Sequence, residues 1–323
     1  MSCERCEPPD GITIESPMSD AAIFRHVIQV GQGVMLAENR GWLAAGQLRE
    51  LWPYILSHAT QPDIWTGGLV SRGNAYRPQG DKKPLAQYIT LPVRTPIKVF
   101  LQPIFNQKRE RVGQEALSRG VDADGNTQPF PWLKEQALAT GSIFWLDRQC
   151  REASIRQGGH ALGEDELLFV NFLPSVIYRP EHCLATTIEA MHEVGLVSSR
   201  LVLEVVESEE VDEGRLKDIV DFYRESEPGV RFALDDVGSG YSSLLRLERL
   251  RPDIVKLDMG ITQNIVSNGG ARAIAKAIRE VAEAMGAIPL AEGLEDEATF
   301  NALIDLGYEW LQGYWLARPK PAQ

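Results

Sequence analysis

Residues 201–258 read LVLEVVESEEVDEGRLKDIVDFYRESEPGVRFALDDVGSGYSSLLRLERLRPDIVKLD. Three short apolar runs, 201–206, 232–234 and 254–257, are separated by polar, turn-bearing stretches, and 216–223 repeats its apolar residues at helical spacing. Short buried strands that alternate with amphipathic helices form βα units, and βα units build a parallel sheet. Each run also ends among charges: Glu204 and Glu207, Asp235 and Asp236, then Lys256 and Asp258.

The same texture extends in both directions. Further apolar runs lie at 97–105, 167–172, 287–290 and 310–315, with helical patterns at 143–155, 184–194 and 271–285. The last of these predicts Ile274, Ile278, Val281 and Met285 on one buried face. From residue 97 onward this gives roughly 225 residues, close to the ~250 of a closed barrel. The expected fold is α/β, a (β/α)8 TIM-barrel-like domain over 96–323 with a small N-terminal α/β appendage. A doubly wound open sheet is the alternative, but no GxGxxG follows the first strand.

Ahead of the barrel the chain says less. Residues 1–20 mix Pro, Gly, Ser and acids without periodicity and read as a mobile tail. Its Cys3-x-x-Cys6 is half of a zinc-ligand pattern, read either as two free thiols or as a metal or redox pair completed by a partner chain. Residues 21–95 read as a separate small module. Trp42, Leu43, Leu48, Leu51, Trp52, Ile55 and Leu56 predict one amphipathic helix. Pro62, Gly67-Gly68, Gly73, Pro78, Gly80 and Pro84 then predict loops with short strands. Nothing in this module specifies a ligand.

Composition removes several functions. The 323 residues are 44% hydrophobic and 24% charged, with 33 Lys and Arg against 45 Asp and Glu, a formal charge of −12. Polymeric nucleic acid is not an expected partner, because gripping it needs grouped cations. No apolar run approaches the ~18 residues of a membrane span, and the start of the chain lacks the basic and apolar stretches of a signal peptide. Four cysteines, Cys3, Cys6, Cys150 and Cys183, fit a reducing cytoplasm.

The polar residues fall where a barrel would use them. Asn171 ends LLFVN, Glu204 and Glu207 lie in LVLEVVE, Asp235 and Asp236 end FALDD, Glu292 and Glu295 lie in PLAEGLE, and Gln312 lies in WLQG. The early strand pair adds Gln102 and QEALSR, with Glu115 and Arg119. Parallel barrel strands open their C-terminal ends onto one face, so residues some 200 positions apart would converge. Clustered carboxylates raise one another's pKa or demand a counter-charge. Mg²⁺ or Mn²⁺ supplies it through hard oxygen ligands, and none of the five histidines falls at these strand ends. Two such ions ~3.5–4 Å apart suit phosphodiester hydrolysis. Taken singly, the pieces are ambiguous. Asp235-Asp236 before Val237-Gly238-Ser239-Gly240 reads equally as a turn capping a helix. Lys256 reads as a solvated strand-end charge, and Glu207 and Glu295 as acids in first helical turns.

In combination, the blocks LQPI (101–104), QEALSR (114–119), FVNFLPS (169–175), LEVVES (203–208), ALDDVGSGYSSL (233–244), RPDIVKLD (251–258), AEGLE (291–295) and LQGYWLARP (311–319) resemble the EAL phosphodiesterase family, which hydrolyses cyclic di-GMP. The resemblance implies that Glu115, Asn171, Glu204 and Asp235 ligate one metal. It makes Asp235 a bridge to a second ion held with Asp236 and Glu292. It gives Lys256 the orientation or deprotonation of the attacking water, with Gln312 lining the same place, and counts Glu115, Asp236 and Glu292 with Lys256 among the catalytic residues. Gln102, Leu117 and Arg119 would meet the dinucleotide, with Arg119 donating to phosphate. Glu207 would anchor the loop that begins at Asp235, a loop tied in the family to homodimer contacts. The implied product is linear pGpG, and the implied cofactor is two Mg²⁺ or Mn²⁺ per site.

Two positions depart from the family pattern. The usual DDFG reads Asp235-Asp236-Val237-Gly238, and the usual ELTES reads Glu204-Val205-Val206-Glu207-Ser208. Neither removes a ligand. Three readings therefore stand: a phosphodiesterase, a non-hydrolysing cyclic di-GMP receptor that signals through residues 1–95, and a protein-interaction scaffold. The intact ligand set counts against the third.

Overall fold

A computed structural model describes residues 96–322 apart from 123, 140–142, 178–183, 207–212 and 240–242; ahead of them it describes 11–31, 34–44, 47–48, 51, 54–55, 58–59, 65–70 and 83–84. The chain divides into two units, residues 1–95 with 134–146, and residues 96–133 with 147–323.

In the first unit, β1 (Gly11–Glu15), β2 (Val34–Ala37), β3 (Arg40–Ala44), β4 (Thr66–Val70) and β5 (Lys83–Pro84) form a sheet in the order β2-β3-β1-β4-β5. The described pairings are all antiparallel. Helix α1 (Ala21–Val30) buries Phe24, Val27 and Ile28, and Ile14 is buried in the central strand. Two expectations are corrected. Residues 11–20 are no tail: β1 is the middle strand, and Asp20 is buried and accepts a hydrogen bond from Trp65 Nε1 at 2.9 Å. Trp42 and Leu43 belong to β3, not to a helix. Helical residues begin further on, where Leu48, Leu51 and Ile55 are buried. Two adjacent apolar residues suit a strand covered on both faces as well as they suit a helix, so their spacing misled. Cys3, Cys6, Trp52, Leu56, Pro62, Gly73, Pro78, Gly80 and Cys183 lie outside the described residues.

The second unit is the barrel. Its strands are β6 (Ile97–Asn106), β7 (Arg111–Val121), β9 (Leu167–Asn171), β10 (Leu201–Val206), β11 (Arg231–Val237), β12 (Ile254–Leu257), β13 (Ile288–Ala291) and β14 (Trp310–Leu311). Two short strands, β8 (Thr127–Gln128) and β15 (Lys320–Pro321), extend β7 and β6. Described helices from residue 130 onward are α2 (Phe130–Ala139), most of which counts with the first unit, α3 (Ile143–Ala161), which enters the second unit at Asp147, α4 (Ala185–Glu193), α5 (Glu213–Ser226), α6 (Ser243–Leu250), α7 (Met259–Thr262), α8 (Gly269–Ala284) and α9 (Glu297–Leu306). Pairing runs from β6 through β14, β13, β12, β11, β10, β9 and β7, and the β6–β7 ladder closes the ring.

The ring is the expected TIM-barrel-like α/β fold with a small N-terminal sheet ahead of it, and it departs from strict parallelism at one strand. β6 runs antiparallel to β7 and to β14, whereas the other seven strands are parallel neighbours. The cause is local. Asn106 Oδ1 accepts from the amides of Lys108 and Glu110 at 2.9 Å, and Arg109 adopts φ 62, so the chain reverses in a tight turn. A hairpin joins only antiparallel strands, and a parallel pair needs a long crossover.

Ile104, Leu167, Phe169, Val202, Ala233, Ile254 and Leu290 pack as one buried cluster. Strands such as LLFV are buried along their length, which is why they read as continuous apolar runs. On α8 the buried face is Ala271, Ala275, Ile278 and Ala282, while Ile274 is 50% exposed. The face predicted from the large residues is thus rotated. Alanines permit the close approach, and hydropathy alone favours the bulkier side chains.

Candidate functional site

Each barrel strand delivers its polar residue at or near one end of the ring. Gln102 on β6 lies opposite Glu115 on β7, and Glu204 on β10 lies beside Asn171 at the end of β9. Lys256 is on β12, while Glu292 and Gln312 immediately follow β13 and β14. Strand period sends neighbouring side chains to opposite faces, so consecutive acids would ordinarily diverge. At Asp235-Asp236 they do not. The β11–β12 register shifts between Leu234 and Val237, and Asp236 takes φ 56, in the left-handed region that Asp tolerates better than most residues. Oxygens of Asp235, Asp236 and Glu292 then all lie within 4.8 Å of one another.

Lys256 is the hub of the cluster. Fully buried, its Nζ lies 2.5 Å from Glu204 Oε1 and 3.0 Å from Asp235 Oδ1, and it also pairs with Glu292 Oε1. Asn171 Nδ2 donates to Glu115 Oε1 at 3.1 Å and to Glu204 Oε2 at 3.0 Å. Gln312 Nε2 donates to Glu115 Oε2 at 2.8 Å. The Asp236 amide donates to Asp235 Oδ1 at 2.9 Å. A cavity of about 180 Å³ adjoins the cluster, lined by Gln102, Glu115, Glu292 and Gln312, with Met259 and Tyr314 also on its wall.

The charges do not balance. Counted as ionised, five carboxylates (Glu115, Glu204, Asp235, Asp236, Glu292) face one ammonium, a formal excess of four negative charges that the centre can shed only by holding protons or binding cations. Burial first, then the charges of Glu115 and Asp235, holds Glu204 well above the usual carboxylate range, with Lys256 opposing. Burial and Asp235 do the same to Glu292, and burial with Asp235 pushes Asp236 up to about 6. Burial pulls the Lys256 ammonium down, but Asp235, Glu115, Glu204 and Glu292 outweigh it and keep its proton held well above the ordinary range. Two divalent cations would cancel the four excess charges, and every acidic donor is a hard oxygen of the kind Mg²⁺ and Mn²⁺ prefer. The residues present fit such ions.

The remaining predicted positions are placed as follows. Leu117 and Arg119 lie two and four residues beyond Glu115 on the same face of β7, opposite Phe100 and Lys98. Arg119 Nη1 donates to Ser118 O at 3.0 Å. Glu295 Oε1 accepts from Gln263 at 3.2 Å, and Asp258 caps α7 through the Gly260 amide at 2.9 Å. Val237, the departure in the loop, is fully buried. Glu207 lies outside the described residues. Reasoning from sequence gave no role to Lys98, which lies opposite Arg119 on the β6–β7 ladder. It also missed Met259 and Tyr314 on the cavity wall, which are 50% and 52% exposed. The Arg318 guanidinium stands 4.4 Å over the Tyr314 ring.

A closed, mixed α/β barrel that gathers acids, amides and one lysine from most of its strands defines a barrel protein with an oxygen-donor centre. The EAL domain profile matches residues 93–319, and the chain belongs to the EAL domain family. It is homologous to cyclic di-GMP phosphodiesterases. The bifunctional diguanylate cyclase/cyclic di-GMP phosphodiesterase MucR of Pseudomonas aeruginosa is 34% identical over 220 residues, covering 66% of this chain and 31% of that protein. The probable cyclic di-GMP phosphodiesterase PdeI of Escherichia coli is 32% identical over 230 residues, covering 68% and 28%. The chain thus matches under a third of the length of these two relatives. A standalone EAL protein from Vibrio cholerae O395, solved with c-di-GMP bound, superposes with a TM-score of 0.63 at 33% identity, covering 70% of this chain and 93% of that one. No helix among the described residues is long and apolar enough to cross a membrane.

Proposed function

We propose that this protein hydrolyses cyclic di-GMP to linear pGpG with Mg²⁺ or Mn²⁺, acting in the cytoplasm as a homodimer. The observation that carries the reading is the gathering of five carboxylates around one buried ammonium, a cluster that a protein has little reason to bury unless cations arrive. Glu115, Asn171, Glu204 and Asp235 would hold one ion, and Asp236 and Glu292 with Asp235 would hold the second. When bound, the two ions neutralise phosphate charge and acidify the attacking water.

The chain's own residues do the rest. Lys256 and Gln312 orient the water, and the electrostatic frame is set before substrate arrives. Water oxygen bonds to phosphorus, the bond to the ribose 3′-oxygen breaks, and that oxygen leaves with a proton as the 3′-hydroxyl. Gln102, Leu117 and Arg119 hold the dinucleotide, with Arg119 forking onto a phosphate. Glu207 anchors the loop from Asp235 to the dimer contact. The module ahead of residue 96, with β1 as its central strand, acts separately from the EAL domain of 96–323.

Chromatography of purified protein incubated with cyclic di-GMP and Mg²⁺ or Mn²⁺ tests this. Product pGpG is expected, absent with EDTA. Tight binding without product would convert the reading to a receptor, and no binding would leave a scaffold.

A further inference from the structure

Behind the barrel wall lies a second ion pair that the chemistry above does not use. Arg151 is fully buried and Asp147 is 3% exposed, and Arg151 Nε donates to Asp147 Oδ2 at 2.9 Å, one turn apart on α3. Arg151 Nη1 also pairs with Thr187 Oγ1 on α4. The other Asp147 oxygen, Oδ1, accepts from the backbone amide of Leu173 at 2.8 Å. Leu173 stands two residues beyond Asn171, where β9 ends and the chain turns into Pro174–Val176. Between them, the Phe172 amide donates to Glu204 O at 3.2 Å.

A buried ion pair is poor value as stabilisation alone, because desolvating both charges offsets most of their attraction. This one does something an apolar pair could not. It fixes a carboxylate oxygen rigidly, and that oxygen holds the backbone just past Asn171, whose amide spans Glu115 and Glu204. We propose that Asp147, locked by Arg151, is a positioning residue: it fixes the β9 exit and so sets the distance at which Asn171 joins Glu115 and Glu204 around a divalent cation. This rests on the metal-dependent reading of the site.

Two double variants separate positioning from stability. Asp147→Asn/Arg151→Met and Asp147→Leu/Arg151→Met both remove the buried charges, and only the first keeps an oxygen for the Leu173 amide. Mn²⁺ affinity is read by calorimetry, Leu173 amide hydrogen exchange by mass spectrometry and folding by thermal unfolding. The Asn variant is expected to keep near wild-type Mn²⁺ affinity and Leu173 protection. The Leu variant is expected to fold, lose that protection and bind Mn²⁺ roughly 10–100-fold more weakly, the usual effect of removing a group that orients a ligand. Equal Mn²⁺ affinity in the two variants overturns the proposal. So does a Leu variant that fails to fold while the Asn variant folds, since the oxygen would then serve stability. Wild-type protein that binds no Mn²⁺ overturns the metal-dependent reading itself, and this proposal with it.

Discussion

Lys256 has no exposed surface and three carboxylate partners, so its removal leaves buried charge uncompensated. Breaking such a set from one side costs about 3–5 kcal/mol. Lys256→Met is therefore expected to lose about that much stability in urea titrations with EDTA, and to regain a large part with Mn²⁺. Asp236 gives the pH dependence. Its folded pKa of about 6 lies above its ordinary 3.8, so between those values the folded protein keeps a proton that the unfolded chain releases. Ion-free stability should therefore fall as pH rises through that window and level off above it. Mn²⁺ affinity should move the opposite way, because the ion needs the ionised carboxylate. Calorimetric titrations at pH 5 and pH 7.5, the latter tighter, check the second sign. Lys98 and Arg119 are like charges directly opposite each other, an unfavourable pairing that a bound phosphate would relieve. Lys98→Ala should raise KM for the dinucleotide several-fold with kcat little changed, as steady-state assays would show.

Among the elements, the β13–α9 and β14–β15 connections pack without slack. A Cβ on Gly313 would fall within contact radius of the backbone N, O and Cα of Leu294, none of which can swing aside. Gly313→Ala should cost about 1–3 kcal/mol, as overpacking does, and disturb the neighbouring Gln312, so thermal unfolding shifts down along with turnover. The strand 167–171 was legible because burial on both faces writes an unbroken apolar run with a polar stop, and 201–206 and 254–257 were legible although one charge, Glu204 or Lys256, interrupts each run. The direction of β6 was not, since an apolar run carries no sense of direction and the reversing turn at Asn106–Glu110 resembles any polar loop. Nor was the bulge at Asp235-Asp236, because two adjacent acids read the same in a capping turn.

For the whole molecule, the barrel unit was far more legible than residues 1–95. Eight ordered blocks constrain the barrel, whereas β1 begins in a Pro- and acid-rich stretch whose strand character comes from pairing with β3 and β4. Asp147 and Arg151 were silent in the sequence too, because an Asp and an Arg one helical turn apart look like a surface pair. In the proposed reaction, water adds across one phosphodiester at the acidic centre. Turnover of cyclic di-GMP in ¹⁸O-enriched water with Mn²⁺, read by mass spectrometry, tests it most directly beside Glu115→Ala. One ¹⁸O in the terminal 5′-phosphate of pGpG, with no product from the variant, is the predicted result. Bound but unconverted dinucleotide in the wild-type protein would contradict it.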